Sequence, residues 1–122
     1  MKKLCVVLFL IINLNAIEVK EAYICRNVEN RNPVQADTLF ESGVGYLYCF
    51  TVIKADVPDT IYHEWVYNNE VKAKVKLFIK TPSENYRTWS KKTIMSLFTG
   101  EWTVRIKNAK DSLLKEIKFK IK

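Results

Sequence analysis

Between Glu70 and Lys80, apolar and charged side chains alternate almost without fault, with Val71, Ala73, Val75, Leu77 and Ile79 set against Lys72, Lys74, Lys76 and Lys80. A period of two puts the two sets on opposite faces of a β-strand, whereas a helix would scatter the lysines around its circumference. Trp102, Val104 and Ile106 alternate in the same way with Thr103, Arg105 and Lys107, and Ile117, Phe119 and Ile121 with Glu116, Lys118 and Lys120. The stretch from Val44 to Lys54 is apolar on both faces. Tyr46, Tyr48, Phe50 and Val52 share one face; Leu47, Cys49, Thr51 and Ile53 share the other. That pattern predicts a central strand covered on both sides. Val19–Cys25 and Thr60–Tyr67 are further β-prone runs.

The breaks between these runs carry turn chemistry. Asp56-Val57-Pro58-Asp59 is a turn. Asn68-Asn69 tolerates positive φ and predicts a tight hairpin between Thr60–Tyr67 and Glu70–Lys80. Thr81–Asn85 interrupts the pattern ahead of Tyr86–Thr93, which reads as a connecting segment; Ile94–Thr99 is a strand end or a loop. Arg26–Ser42, polar and rich in asparagine, predicts a long loop with a short turn of helix near Asp37–Phe40. About seven short strands with almost no helical periodicity predict an all-β fold. The expected architecture is one antiparallel β-sandwich over residues 17–122, immunoglobulin-like in size and strand count.

The first sixteen residues change the setting. Lys2 and Lys3 precede an unbroken apolar run, Leu4–Ile12, and Asn13-Leu14-Asn15-Ala16 offers a small residue for cleavage. This reads as a secretory signal peptide, since the run is shorter than the roughly 20 residues that span a bilayer. The rest of the chain offers no transmembrane segment. A periplasmic or secreted protein is expected. The net charge of +7 falls to +5 without the leader lysines, an excess spread over several strands that modestly favours an acidic partner. Export leaves Cys25 and Cys49 as the only cysteines, which suggests a disulfide; two buried thiols are the alternative.

The inventory restricts the chemistry. Two cysteines and the lone His63 cannot build a four-ligand structural zinc site, so no metal and no cofactor is expected. Three scattered glycines form no phosphate loop. No catalytic residues are assigned; a small hydrolase pairing His63 with Ser90 is the weak exception, because no nucleophile elbow surrounds the serine. Binding is the stronger expectation. Arg87 is a fork donor suited to carboxylate or phosphate, and Trp65 and Trp89 supply flat apolar faces. His63, Trp65, Arg87, Trp89 and Ser90 are therefore the candidate site for a ligand or partner. Each also has a structural role open to it: His63 and the tryptophans as core, Arg87 as a loop hydrogen bond or cation–π stack. Nucleic acid is not an expected partner.

The ordered set Cys25-x-x-Val28-x-Asn30-Arg31-x-Pro33, Tyr48-Cys49-Phe50-Thr51, His63-x-Trp65-x-Tyr67, Arg87-Thr88-Trp89-Ser90-x-Lys92 and Gly100-x-Trp102-x-Val104, closing with Leu114–Ile121, resembles the bacterial domain of unknown function 2914. Asn68-Asn69-Glu70 and Asn108–Ser112 depart from it where that family tends to place a turn glycine. The resemblance implies a small all-β, envelope-associated module, sometimes attached to membrane segments in larger proteins. It carries over no catalytic residue. The expected function is an exported, non-catalytic β-sandwich that binds an envelope protein or ligand, or alternatively a carbohydrate or envelope polymer.

Overall fold

The computed structural model describes residues 17–122; the leader expected at residues 1–16 lies outside them. Nine strands follow one another: β1 (Ile17–Glu29), β2 (Asn32–Ala36), β3 (Leu39–Phe40), β4 (Gly45–Ala55), β5 (Asp59–Tyr67), β6 (Glu70–Ile79), β7 (Ser83–Ile94), β8 (Gly100–Asn108) and β9 (Leu113–Ile121). They form a sandwich of two sheets, ordered β2-β1-β4-β7 and β3-β9-β8-β5-β6. Every pairing is antiparallel except the short β3–β9 ladder.

The β5–β6 hairpin forms as expected. Asn68 and Asn69 take φ of +50° and +63°, the left-handed pair of a type I′ turn whose twist matches the flanking strands. A bulge between Trp65 and Val66 then shifts the ladder by one residue. Val71 consequently faces solvent at 50 % exposure instead of the core; a one-residue slip exchanges faces.

Two expectations give way. Arg26–Ser42 is not a loop with a helical turn. Asn30 and Arg31, both at positive φ, reverse the chain into β2, which pairs with the end of β1. The chain then crosses to the other sheet, where β3 runs beside β9. β2 exposes most of its side chains, and β3, with Leu39 exposed and Phe40 buried, is only two residues long, so no alternation marked them. Tyr86–Thr93, likewise, is no connector. It lies within the 12-residue β7, which pairs with β4 along almost its whole length. Its inward side chains include Thr88, Ser90 and Lys92, and that polarity hid the period of two.

β4 is central, between β1 and β7. Its inner face, Leu47, Cys49, Thr51 and Ile53, is fully buried against the other sheet. Among the described residues, its outer face is covered by neighbouring side chains. Phe50 and Val52 are buried there with Cys25 under Val28, Tyr48 and Trp89, while Tyr46 is exposed. The space between the sheets divides into two apolar halves. One holds Trp65, Trp102, Phe119 and Leu47; the other holds Ile17, Ile53, Ile61, Ile79 and Ile106. Trp65 and Trp102 thus join the sheets, and Trp89 does not.

The disulfide expected between Cys25 and Cys49 is absent; both are free, buried thiols. Cys49 pairs with Ile24, and Cys25 with Tyr48. The two cysteines are therefore one register step apart on adjacent strands and point to opposite faces of the sheet. Burial pushes both thiols up, which makes them poor nucleophiles.

Candidate functional site

Between the two apolar halves lies a polar layer. On β4, Thr51 sits between Cys49 and Ile53 of the two clusters; on β5, His63 sits between Ile61 and Trp65. β7 brings Ser90 against them, so side chains from both sheets meet across the sandwich. His63 is 0 % exposed and Ser90 4 %. His63 Nδ1 lies 2.7 Å from Ser90 Oγ, and the Trp65 indole N–H donates to the same oxygen over 3.1 Å. On the other side of the ring, Nε2 lies 3.4 Å from Thr51 Oγ1, whose hydroxyl donates to the Thr88 carbonyl over 2.7 Å.

One proton assignment uses each hydrogen once. The Trp65 N–H reaches Ser90; the Ser90 hydroxyl donates to Nδ1; the Nε2 hydrogen points at Thr51; and the Thr51 hydroxyl ends on the backbone. The imidazole is then neutral with its hydrogen on Nε2. Burial holds its pKa down at about 3, consistent with a ring for which the charged form would be expensive. This chain of hydrogen bonds satisfies polar groups that the core would otherwise leave unpaired.

The five candidate residues therefore separate. His63, Trp65 and Ser90 come together inside the sandwich. Arg87 and Trp89 alternate with Ser90 along β7 and face outward. The His63–Ser90 pair has hydrogen-bond distance but not the surroundings of a nucleophile. The serine oxygen already accepts the indole N–H, the second ring nitrogen faces a threonine instead of a carboxylate, and both groups are sealed from solvent.

The outer face of the four-stranded sheet shows a different order. The register sets Tyr23, Phe50 and Trp89 in one row across β1, β4 and β7. Val52 and Arg87 form part of the row on one side, and Tyr48 and Lys91 of the row on the other. Phe50 is the buried floor, and Trp89 stacks on it with centroids 5.8 Å apart and planes 19° apart. The Lys91 ammonium sits 4.0 Å above the Tyr46 ring and 5.8 Å from that of Tyr48. Tyr23 reaches Glu21 by a 3.0 Å hydrogen bond, which raises its phenol pKa. Arg87 and Lys91 are exposed. All nine strands belong to the two sheets, so among the described residues no element covers this face. Sequence reasoning missed Tyr23, Tyr48 and Lys91 here and Thr51 in the core. The alternation of β4 already grouped Tyr46, Tyr48 and Phe50, but only the β4–β7 register joins them to Trp89 and Arg87.

The opposite outer face is charged. Glu64, buried, lies 3.2 Å from Lys107 and 3.8 Å from Lys74. Lys107 also reaches Asp111 at 3.2 Å, and hydrogen bonds to Asp111 and then Glu64 raise its pKa. Clefts of about 400 and 300 Å³ flank the β2–β3 crossing, the first beside Arg26, Asp37 and Glu41 and the second beside Ala22, Ile24 and Ile117. Among the described residues, no group of three or more His, Cys, Asp or Glu side chains could hold a metal ion. No helix among them is long and apolar enough to cross a membrane.

Fold and site together define a two-sheet β-sandwich with a sealed polar layer and an aromatic outer face. The chain belongs to the family described as "Protein of unknown function (DUF2914)", whose sequence model matches residues 58–121, just over half of the chain. The match contains the histidine, arginine and later tryptophan motifs and begins after Cys25–Pro33 and Tyr48–Thr51. No curated protein matches the sequence. Among solved structures, the chain is similar to part of Pseudomonas fluorescens alkylpurine DNA glycosylase AlkC bound to DNA containing an abasic site analog. The TM-score is 0.55 at 8 % identity over 88 % of this chain and 30 % of that one. A β-glucosidase from Kluyveromyces marxianus gives a TM-score of 0.49 at 12 % identity, over 87 % of this chain and 14 % of that one. The chain thus spans under a third of either protein, and at such identity the first likeness speaks to the fold alone.

Proposed function

We propose that this protein is a non-catalytic binding module working in the periplasm or outside the cell, and that it binds through the outer face of its four-stranded sheet. The reading rests on one observation: the row Tyr23–Phe50–Trp89, with Arg87 and Lys91 in the flanking rows, on a face that no described element covers. The leader-like residues 1–16 support the compartment. His63, Trp65 and Ser90 serve as internal hydrogen-bonding structure, which leaves Arg87 and Trp89 as the binding pair.

The chemistry of that face favours a saccharide polymer with acidic groups. Half-exposed aromatic rings offer planes for sugar rings, and Arg87 and Lys91 supply a fork donor and a point charge for carboxylate or phosphate. The test is retention on acidic envelope glycans at low and high salt, with Trp89→Ala and Arg87→Ala beside the parent protein. Loss of retention in both variants, with circular dichroism unchanged, is expected. Retention equal to that of the parent in both would overturn the assignment of this face, and capture of a protein with no glycan retention would replace the ligand class.

A further inference from the structure

The loop between β7 and β8 displays two apolar side chains where turn chemistry ordinarily places polar ones. Leu97 is 82 % exposed and Met95 58 %. Fraying does not explain the display, because the loop is clamped from behind. The Phe98 N–H closes a turn onto the Met95 carbonyl at 2.9 Å. The Trp102 indole donates to the Phe98 carbonyl at 3.0 Å, and the Tyr67 hydroxyl to that of Thr99 at 2.7 Å. Phe98 itself stacks on Tyr67, with centroids 5.1 Å apart, and Ile94 before the loop is buried. Side chains of the core thus hold a convex tip whose ends are fixed and whose two apolar residues point to water.

A collar of lysines lies behind the tip. The Lys72 ammonium is 5.4 Å from the Phe98 ring centroid and also 2.8 Å from Glu70. On β7, Lys91 and Lys92 precede Met95 by four and three residues, about 10–13 Å of extended strand. Their ammonium groups rest on Tyr46 and on the Thr93 carbonyl oxygen. At the same end, Lys122 is paired with Glu41 at 3.6 Å.

From this geometry we infer that the Met95–Phe98 loop is a membrane-surface anchor, inserting Met95 and Leu97 at the headgroup boundary of an anionic bilayer while Lys72 and Lys91 meet the lipid headgroups. A convex tip needs no matching cavity in a bilayer interface, whereas a protein partner would need a pocket shaped to both side chains. Two apolar side chains alone give only weak, reversible association, so the lysines are required and the binding depends on anionic lipid and on salt. This surface adjoins the Trp89 face and shares Lys91 with it, but uses neither Trp89 nor Arg87.

The test is co-sedimentation of the purified protein with vesicles of phosphatidylglycerol and phosphatidylethanolamine, against vesicles of phosphatidylcholine. Binding to the anionic vesicles alone, weakening as salt rises, is expected. Leu97→Asp should weaken it by at least about tenfold, Lys91→Glu should weaken it and flatten its salt dependence, and Trp89→Ala should leave it unchanged. Because Leu97 is exposed, its substitution leaves folding intact, checked by thermal melting. Absence of binding to anionic vesicles at low ionic strength overturns the proposal. So does binding indifferent to Leu97→Asp, or a self-association that this substitution abolishes in sedimentation velocity.

Discussion

Replacing Ser90 by alanine tests whether the polar layer is structural. The Ser90 oxygen accepts from Trp65 at 3.1 Å and lies 2.7 Å from His63 Nδ1. Alanine leaves an indole N–H and a ring nitrogen unpaired, in a core where Trp65 and His63 are both 0 % exposed. Each stranded buried group costs about 1–3 kcal/mol, so Ser90→Ala should destabilise the fold by about 2–5 kcal/mol. For a sandwich of this size that lowers the melting temperature by about 10–25 °C. Thr51→Val is the graded control. It removes the longer 3.4 Å contact to Nε2 and one donor to the Thr88 carbonyl, and should cost about 1–2 kcal/mol. Urea unfolding followed by tryptophan fluorescence gives both values. A double cycle with His63→Phe should show coupling of about 1–3 kcal/mol, because removing the imidazole relieves one of the two groups that Ser90→Ala strands. A loss below about 0.5 kcal/mol for Ser90→Ala would refute the reasoning. Unchanged stability together with loss of a hydrolytic activity would restore the serine as a nucleophile.

The same layer predicts a pH dependence. His63 titrates near 3 in the fold and near 6.5 when unfolded, so between those values the unfolded chain binds the extra proton. Stability should be complete above about pH 6.5 and fall as pH drops toward 3, by at most about 5 kcal/mol. Denaturant titrations of the parent and of His63→Gln across that window isolate the contribution; identical pH slopes would contradict it. The hairpin supplies a gain of stability. Asn69, at φ +63°, holds a position where glycine is unstrained, so Asn69→Gly should stabilise by about 0.5 kcal/mol and raise the melting temperature by about 2–4 °C. A lower melting temperature would mean that the asparagine side chain contributes more than its backbone conformation costs.

Much of the fold is written in local patterns that need no partner to be read. The alternation of β6, β8 and β9 follows from side chains pointing to opposite faces at each step, and the β5–β6 hairpin from the tolerance of Asn68 and Asn69 for positive φ. Those features predicted an antiparallel sandwich and an inward-facing Trp102, whereas Trp65 stood among the candidate binding residues and is fully buried. The family resemblance was legible as well, in motifs that lie mostly within residues 58–121. Local patterns fail at the edges. β2 exposes most of its side chains, β3 is only two residues long, and β7 turns Thr88, Ser90 and Lys92 inward, so neither contrast nor period survives there.

What only the tertiary structure decided is which faces meet. His63 and Ser90 are 27 residues apart and touch because β5 and β7 lie in different sheets, opposite one another. Trp89, one residue before Ser90, points the other way for the same reason that neighbouring side chains always do in a strand. Cys25 and Cys49 lie on adjacent strands yet cannot bond, because register and not sequence distance assigns them to opposite faces. Alternation is a property of one strand. The candidate site depended on the register between strands, and that is set by the packing of both sheets at once.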